Sequence, residues 1–246
     1  MLGAILWSGP SQFDGAPIML VASALKGSRN GKTGNVAQLY IMRADMHPAI
    51  ASQRGKDSAV CGTCPHQGRM VDGDRVGRSC YVNLWRGPAS VWRSVQAGLY
   101  PALDSEVGAH ALAGRVVRIG AYGDPAALPV GVLDELLVGA LAVTGYSHAW
   151  RERPDLRRWC MASADSSAER AEARAAGWRV FRVRGAAEPV EAREVTCPAS
   201  AEAGRRTDCA SCRACGGLSS RARVDVAIVA HGVGRHAFER ARARAA

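Results

Sequence analysis

No stretch of this chain has the length and apolar continuity that a bilayer crossing needs, so a membrane-spanning protein is not expected. The opening MLGAILWSGPSQFDG has no basic residue ahead of its short apolar run, so no secretory leader is expected either. Lysine is almost missing: Lys26, Lys32 and Lys56 stand against 29 arginines. There is no internal repeat and no long low-complexity segment, and no G-x-S-x-G elbow to support serine hydrolase chemistry. The loop Gly27-Ser-Arg-Asn-Gly31-Lys32-Thr33 ends like a phosphate-binding loop. Its glycines are one residue too close, however, and a strand rather than a helix follows. It reads as a flexible connection between strands that could touch a substrate backbone.

Cysteine is plentiful, and it is grouped. Cys197, Cys209, Cys212 and Cys215 form a C-x11-C-x2-C-x2-C pattern. Cys61, Cys64 and Cys80 form a second group, with His66 two residues after Cys64. Two-residue spacings let neighbouring thiolates turn toward one ion, and soft donor sets suit Zn²⁺ or, alternatively, a [4Fe-4S] cluster. A chain of 246 residues buries enough surface to fold without disulfide staples. Outside the secretory route, C-x2-C pairs point to metal rather than to bridges. The first group is expected as a separate centre, either Cys3His zinc with His66 as fourth ligand or an open-site iron–sulfur centre. Cys160, in an apolar run, reads as a buried and inert core residue.

The balance of 32 basic and 22 acidic residues gives a net charge of +10. That excess fits a polyanionic partner, nucleic acid and DNA first, contacted through arginine. The arginines expected to make the contact are Arg151, Arg153, Arg157 and Arg158, with the basic tail 235–246 (Arg235–Arg244) as a helix. Eight apolar runs read as strands: 18–25, 36–42, 115–121, 140–146, 158–162, 178–183, 193–197 and 224–230. Helical patterns cover 88–97, 130–139 and 166–176, the last behind the capping sequence Asp165-Ser166-Ser167. Continuous apolar runs alternating with helices predict an α/β fold with strands buried on both faces. A count near eight favours an irregular (β/α) barrel-like fold with cysteine-rich metal-binding insertions, an open doubly wound sheet being the alternative. One domain, 1–246, is expected, with metal-binding segments at 61–80 and 197–215.

In such folds reactive groups collect where strands end. Those ends supply Tyr122 and Asp124, His148, Asp165, Cys197 and His231. Asp124 and Asp165 are the candidate catalytic carboxylates, one a nucleophile and one a proton shuttle, and Tyr122 and His148 the candidate substrate-binding residues. Each also has a plainer reading: Asp165 as a helix cap, Asp124 as a turn former, His148 as a core histidine.

Two stretches, GPSQFDGAPIMLVAS…KTGN…CGTCPHQG…CYVNLWRGPASVW and GAYGDP…TGYSHAW…MASADS…TCPAS…CASCRACGG, resemble a family of cysteine-rich bacteriophage and prophage proteins. That resemblance implies the cytoplasm, the host's if the chain is phage-encoded. A barrel with a late cysteine-rich site and two strand-end aspartates is also similar, remotely, to tRNA-guanine transglycosylases and their DNA-acting phage relatives. Their zinc pattern, C-x-C-x2-C…H, differs from the one here. The similarity implies exchange of guanine for a 7-deazaguanine base, with Asp165 as nucleophile and Asp124 as second acid. The expectation is therefore a metal-binding enzyme acting on nucleic acid. The alternatives are a non-catalytic, metal-stabilised nucleic-acid-binding or regulatory protein and, third, an iron–sulfur redox or radical enzyme.

Overall fold

The computed structural model describes residues 1–28 and 30–245. Arg29 of the glycine-rich loop, Ala246 at the end of the expected basic helix and the side chain of Arg244 therefore lie outside the described residues. The strands are β1 (Gly3–Pro10), β2 (Pro17–Ser23), β3 (Val36–Arg43), β4 (Arg69–Val71), β5 (Asp74–Val76), β6 (Val116–Tyr122), β7 (Ala142–Thr144), β8 (Tyr146–Ser147), β9 (Met161–Ala164), β10 (Val180–Arg184), β11 (Glu194–Thr196) and β12 (Asp225–Val229). The helices are α1 (Pro48–Gln53), α2 (Ser58–Cys61), α3 (Gly87–Gln96), α4 (Ser105–Leu112), α5 (Val132–Leu137), α6 (Ser167–Ala175), α7 (Cys209–Cys212) and α8 (Arg235–Ala245). None is long and apolar enough to cross a membrane.

The fold is mixed α/β. One sheet runs β1-β2-β3-β6-β7 and the other β11-β12-β10-β9-β8, with β4 and β5 as a separate hairpin. In the first sheet only the β1–β2 and β2–β3 pairings are antiparallel. Every pairing of the second sheet is parallel. Continuous apolar strands fit this arrangement, because crossovers cover both faces of parallel strands. Met161–Ala164 of β9 are all buried, as are Ile18–Ala22 of β2. The main apolar cluster draws on β1, β2, β3 and β6 of one sheet and on β9 and β10 of the other.

The sheets meet at Gly145, the single residue between β7 and β8. A side chain there would stand 2.9 Å from Cys160 Sγ and 3.2 Å from Ile119 Cβ, so only glycine lets the core close at the junction. Gly145 N–H donates to the Cys215 carbonyl and its own carbonyl accepts from Met161, which ties the late cysteine segment to the seam.

All eight expected strands are present, with ends displaced by up to three residues; the run expected at 140–146 is broken in two at Gly145. The additional elements are β1, the β4–β5 hairpin and the short helices α1, α2, α4 and α7; the helix expected at 130–139 is present in shorter form as α5. Helix α6 starts where its cap predicts: Ser166 Oγ accepts from Glu169 N–H at 3.1 Å. Buried charges in the second sheet are paired. Arg182 bonds both oxygens of Glu194 at 2.9 and 2.6 Å, and Arg170 bonds Asp225 and Glu191. Removing one member of such a buried pair leaves an uncompensated charge, at a cost of roughly 3–5 kcal/mol.

Candidate metal centre

Three side chains from three distant segments converge where β8 and β9 end. His66 lies in a single helical turn, Pro65–Gln67, directly after Cys64. Its carbonyl accepts the N–H groups of both Ser79 and Cys80 at 3.0 Å, which closes the 66–80 excursion into a loop. Its ring is held at both nitrogens: Nδ1 lies 2.8 Å from Ser79 Oγ and Nε2 lies 2.9 Å from Asp165 Oδ1. His148, one residue past β8, places Nε2 3.3 Å from Asp165 Oδ2. The two imidazoles meet edge to face at 5.3 Å, and Phe238 of α8 covers His66 from a centroid distance of 5.7 Å.

Asp165 follows β9, and its backbone is fixed on both sides. Its N–H donates to Glu169 Oε2 at 2.7 Å, and its carbonyl accepts from the Arg242 guanidinium. Burial alone would raise the Asp165 carboxyl, but the facing His148 and His66 imidazoles outweigh it and hold the group well below the usual carboxylate range. Burial alone would likewise lower His148; Cys64 beside it and Asp165 in front of it raise it well above an ordinary imidazole instead.

One feature does not fit a simple ion pair. His148 Nε2 and Asp165 Oδ2 are buried and close, yet the 3.3 Å contact is misaligned and neither atom has a hydrogen-bond partner. Buried polar atoms are nearly always satisfied. The ligand atoms of His66, His148 and Asp165 all lie within 4.8 Å of one another, the one such group of three among the described residues. Two imidazole nitrogens and a carboxylate oxygen are a donor set for zinc or ferrous iron. The Ser79 contact to the second nitrogen of His66 is the outer-sphere support that ligating histidines usually have. The residues present therefore fit a divalent transition metal.

The other expected site residues are distributed around this group. Asp124 is buried with both oxygens occupied: Oδ1 accepts Ala126 N–H at 2.9 Å and Ser147 Oγ–H at 2.7 Å, and Oδ2 accepts His148 N–H at 2.8 Å. It shapes its own turn, as its plainer reading had it, and it also anchors the backbone of His148. The preceding Gly123 has φ +83°, and a Cβ there would fall 2.5 Å from the Ile41 carbonyl, so glycine is required. Tyr122 is buried with its hydroxyl unpartnered, and burial beside Cys61 pushes its phenol far up. Cys61, Cys64 and Cys80 are free thiols in this same region, with Cys64 against His148. His66 turns toward Asp165 and Ser79.

Cys197, Cys209, Cys212 and Cys215 are also free thiols and are near enough to perturb one another electrostatically. Cys197, Cys209 and Cys215 pack with Tyr146, Phe181 and Met161 in a second, smaller core. Burial pushes the Cys215 thiol up to about 12. Cys160 is buried, as expected.

The arginines expected to meet nucleic acid are largely engaged within the protein. Arg151 pairs with Glu172, Arg153 with Asp155 and the Ala126 and Leu128 carbonyls, and Arg158 with Asp134. Helix α8 is docked rather than free: Phe238 is buried, and Arg242 bonds Glu188 at 2.8 Å. A shallow cleft of about 650 Å³, lined by Arg157, Arg158 and Leu218, lies at the amino ends of β9 and β12, away from the convergent group.

Sequence reasoning placed His148 and Asp165 in one pocket but assigned His66 to the first cysteine group. Ser79, Glu169 and Phe238 went unmarked; the capping pattern at Ser166–Glu169 was the available signal for Glu169. No protein-family model, curated protein or solved structure matches this chain.

Proposed function

We propose that the protein is a metal-dependent enzyme acting on nucleic acid, with His66, His148 and Asp165 as ligands of its reactive centre. One observation carries this reading: His148 Nε2 and Asp165 Oδ2 are buried, adjacent and without hydrogen-bond partners, beside a third donor on His66. A bound zinc or ferrous ion would polarise a substrate oxygen and lower the pKa of water. Two histidines and one carboxylate leave coordination positions open for that purpose. The chain's own groups do the positioning. Ser79 sets the His66 ring, Asp124 holds the His148 backbone, and Glu169 and Arg242 clamp Asp165. Cys64 lies against His148 but outside the set of donor atoms that are all within 4.8 Å of one another. The two cysteine groups are read as metal-holding knuckles, with zinc as the metal and a [4Fe-4S] cluster as the alternative.

The partner reading rests on the net charge of +10 and favours DNA. A barrel-like closure of the two sheets is supported by contacts between the β2–β3 loop and the end of the chain. Lys32 Nζ lies 3.0 Å from His231 Nε2, and the Cys209 and Ala210 N–H groups donate to the Lys32 and Thr33 carbonyls.

A second reading, base exchange, is favoured by the unpartnered Asp165 Oδ2 alone. In it that oxygen attacks the sugar carbon, and the departing base leaves with the bonding electron pair and takes a proton. The incoming base then gives up a proton, re-forms the bond and releases the carboxylate. Both oxygens of Asp124 are occupied, so the proton donor would be His148.

The test combines metal analysis with a nucleoside assay. Purified protein should carry one metal equivalent that Asp165→Asn and His148→Ala lose, and incubation with DNA should change its nucleoside composition by mass spectrometry only in the metal-loaded form. Chemistry that persists after chelation, with a DNA–protein adduct trapped at Asp165, would replace the metal reading with base exchange.

A further inference from the structure

The buried arginines Arg170, Arg179 and Arg182 find partners within the protein. Arg170 and Arg182 meet carboxylates, and Arg179 meets the Ala214, Gly217 and Val224 carbonyls. Arg118 is different. It sits on β6, half-buried, and its one hydrogen bond is to the Tyr81 hydroxyl. No carboxylate lies within ion-pair distance of it among the described residues, although a guanidinium offers five N–H donors.

Two further basic groups, Lys32 and His231, stand near enough to Arg118 to feel its charge. Lys32 is half-buried, contacts His231 Nε2 through Nζ and has no side-chain carboxylate in ion-pair range among the described residues. Tyr81 is exposed and stacks on the exposed His231 ring at 5.6 Å, and the Arg118 guanidinium lies 5.9 Å from the Tyr81 centroid. The groups acting on Lys32 are the Cys197 and Cys209 thiols together with Arg118 and Arg205, and His231 feels both Lys32 and Arg118. Asp208, next to the residue that bonds the Lys32 carbonyl, uses its carboxylate to cap α7 at Ser211 N–H, 2.8 Å away. Like charges gathered without an acid are unfavourable in a partly dehydrated site and become favourable when an anion arrives.

The loop chemistry limits which atoms can bind. Asn30 Oδ1 accepts the Lys32 and Thr33 N–H groups, so those amides are spent on the turn and cannot cradle an anion. The Lys32 side chain remains free to do so. Tyr81 belongs to the same segment as Ser79, which sets the His66 ring, and the 231–234 turn closes on that segment: a Cβ on Gly234 would fall 2.1 Å from the Ser79 carbonyl. Tyr146 influences Arg118 and lies two residues before His148 on the same strand face. The cationic group and the convergent His–Asp group are thus joined through two short segments.

We infer that Lys32, Arg118, Tyr81 and His231 form a cradle for a phosphate of the substrate strand, set beside the His66–His148–Asp165 centre. Arg118 and Lys32 supply charge-assisted hydrogen bonds to the phosphate oxygens, and the exposed Tyr81 face is free for a base to stack on. The inference takes its substrate from the nucleic-acid reading above but does not depend on the metal.

The experiment is fluorescence anisotropy with the full chain and a short labelled single-stranded DNA oligonucleotide, with inorganic phosphate and a deoxynucleoside monophosphate as competitors. Metal content is measured on the same samples. Arg118→Gln and Lys32→Gln should each weaken oligonucleotide binding about tenfold and reduce the salt slope by about one, with metal content unchanged. Arg118→Lys and Tyr81→Phe, which preserve charge and packing, should give smaller losses and guard against misfolding of the glutamine variants. Full competition by the mononucleotide at lower concentration than the strand would assign the cradle to a nucleotide phosphate; competition only by the strand would assign it to a backbone phosphate. Wild-type affinity and salt slope in both glutamine variants would overturn the cradle. So would loss of metal in parallel with loss of binding, which would make Lys32 and Arg118 counter-ions of the Cys197–Cys215 thiolates. An Asp165→Asn protein that keeps both its full metal content and its oligonucleotide binding would sink the metal reading and leave the cradle standing.

Discussion

Asp124 and Asp165 begin as equivalents: each follows a strand of the parallel part of the fold, and each precedes a helical turn. Their surroundings separate them. Asp124 accepts three hydrogen bonds, from two backbone N–H groups and a serine hydroxyl, and has no oxygen left for a substrate. Asp165 faces two imidazoles, and one of its oxygens is unpartnered though buried. A strand-end carboxylate becomes reactive through what it is denied, not through its position. The two are also linked, since Asp124 fixes the backbone of the His148 that faces Asp165.

The comparison can be broken most sharply by exchanging the amide for the acid at each position. Asp165→Asn should abolish stoichiometric metal binding, a loss of at least about a hundredfold in affinity for a first-sphere ligand, while thermal stability of the metal-free protein changes little. Asp124→Asn should do the reverse. It sets an amide against N–H donors, leaves a buried group mispaired and lowers stability by about 1–3 kcal/mol by urea titration, with metal stoichiometry retained in the folded fraction. If both variants lose metal equally, the two carboxylates are not functionally distinct.

Ser79→Ala sharpens the same contrast from the outer sphere. It leaves all three donors in place but frees the His66 ring, so metal affinity should fall about tenfold in competition with a chromogenic chelator. Unchanged affinity would mean that packing against Phe238, not the hydroxyl, sets the ring.

Gly145→Ala tests the seam that places His148. The added methyl meets Cys160 Sγ and Ile119, and a cost of about 1–3 kcal/mol is expected from overpacking.

A further effect is alkaline and appears only far above neutral pH. In the metal-free protein Cys215 ionises near 12 when folded and near 9 when unfolded. The folded state favours the neutral thiol. Its contribution is therefore complete below pH 9 and is lost as pH rises toward 12. Thermal melts of wild type and Cys215→Ala across that range should converge as pH rises.

Much of the architecture was legible in the sequence because buried parallel strands are written as continuous apolar runs, as in VDVAIVA of β12. Strand β1 was missed because its apolar run GAILW is short, bulged between Ile5 and Trp7, and gives way to the polar SGP. The break at Gly145 was hidden because apolar residues continue on both sides of it. The members of the site were legible singly: His66 stood in a cysteine motif, and His148 and Asp165 at strand ends. His148 and Asp165 were expected in one pocket, but the arrival of His66 was not legible, since 99 residues separate it from Asp165 and only the fold brings them together. Arg118 gave no signal at all. An arginine on a strand ordinarily reads as a solvated or paired residue, and the lack of a carboxylate around it is a property of three dimensions.

The central claim is that the unpartnered atoms of His148 and Asp165 are ligands of a metal ion. Its most direct test is elemental analysis of the purified full chain beside the His66→Ala, His148→Ala and Asp165→Asn variants, each also carried with all of Cys197, Cys209, Cys212 and Cys215 intact. The account predicts that each substitution removes one and the same metal equivalent while any metal at the late cysteines stays. Identical metal content in wild type and all three variants, all folded, would contradict it.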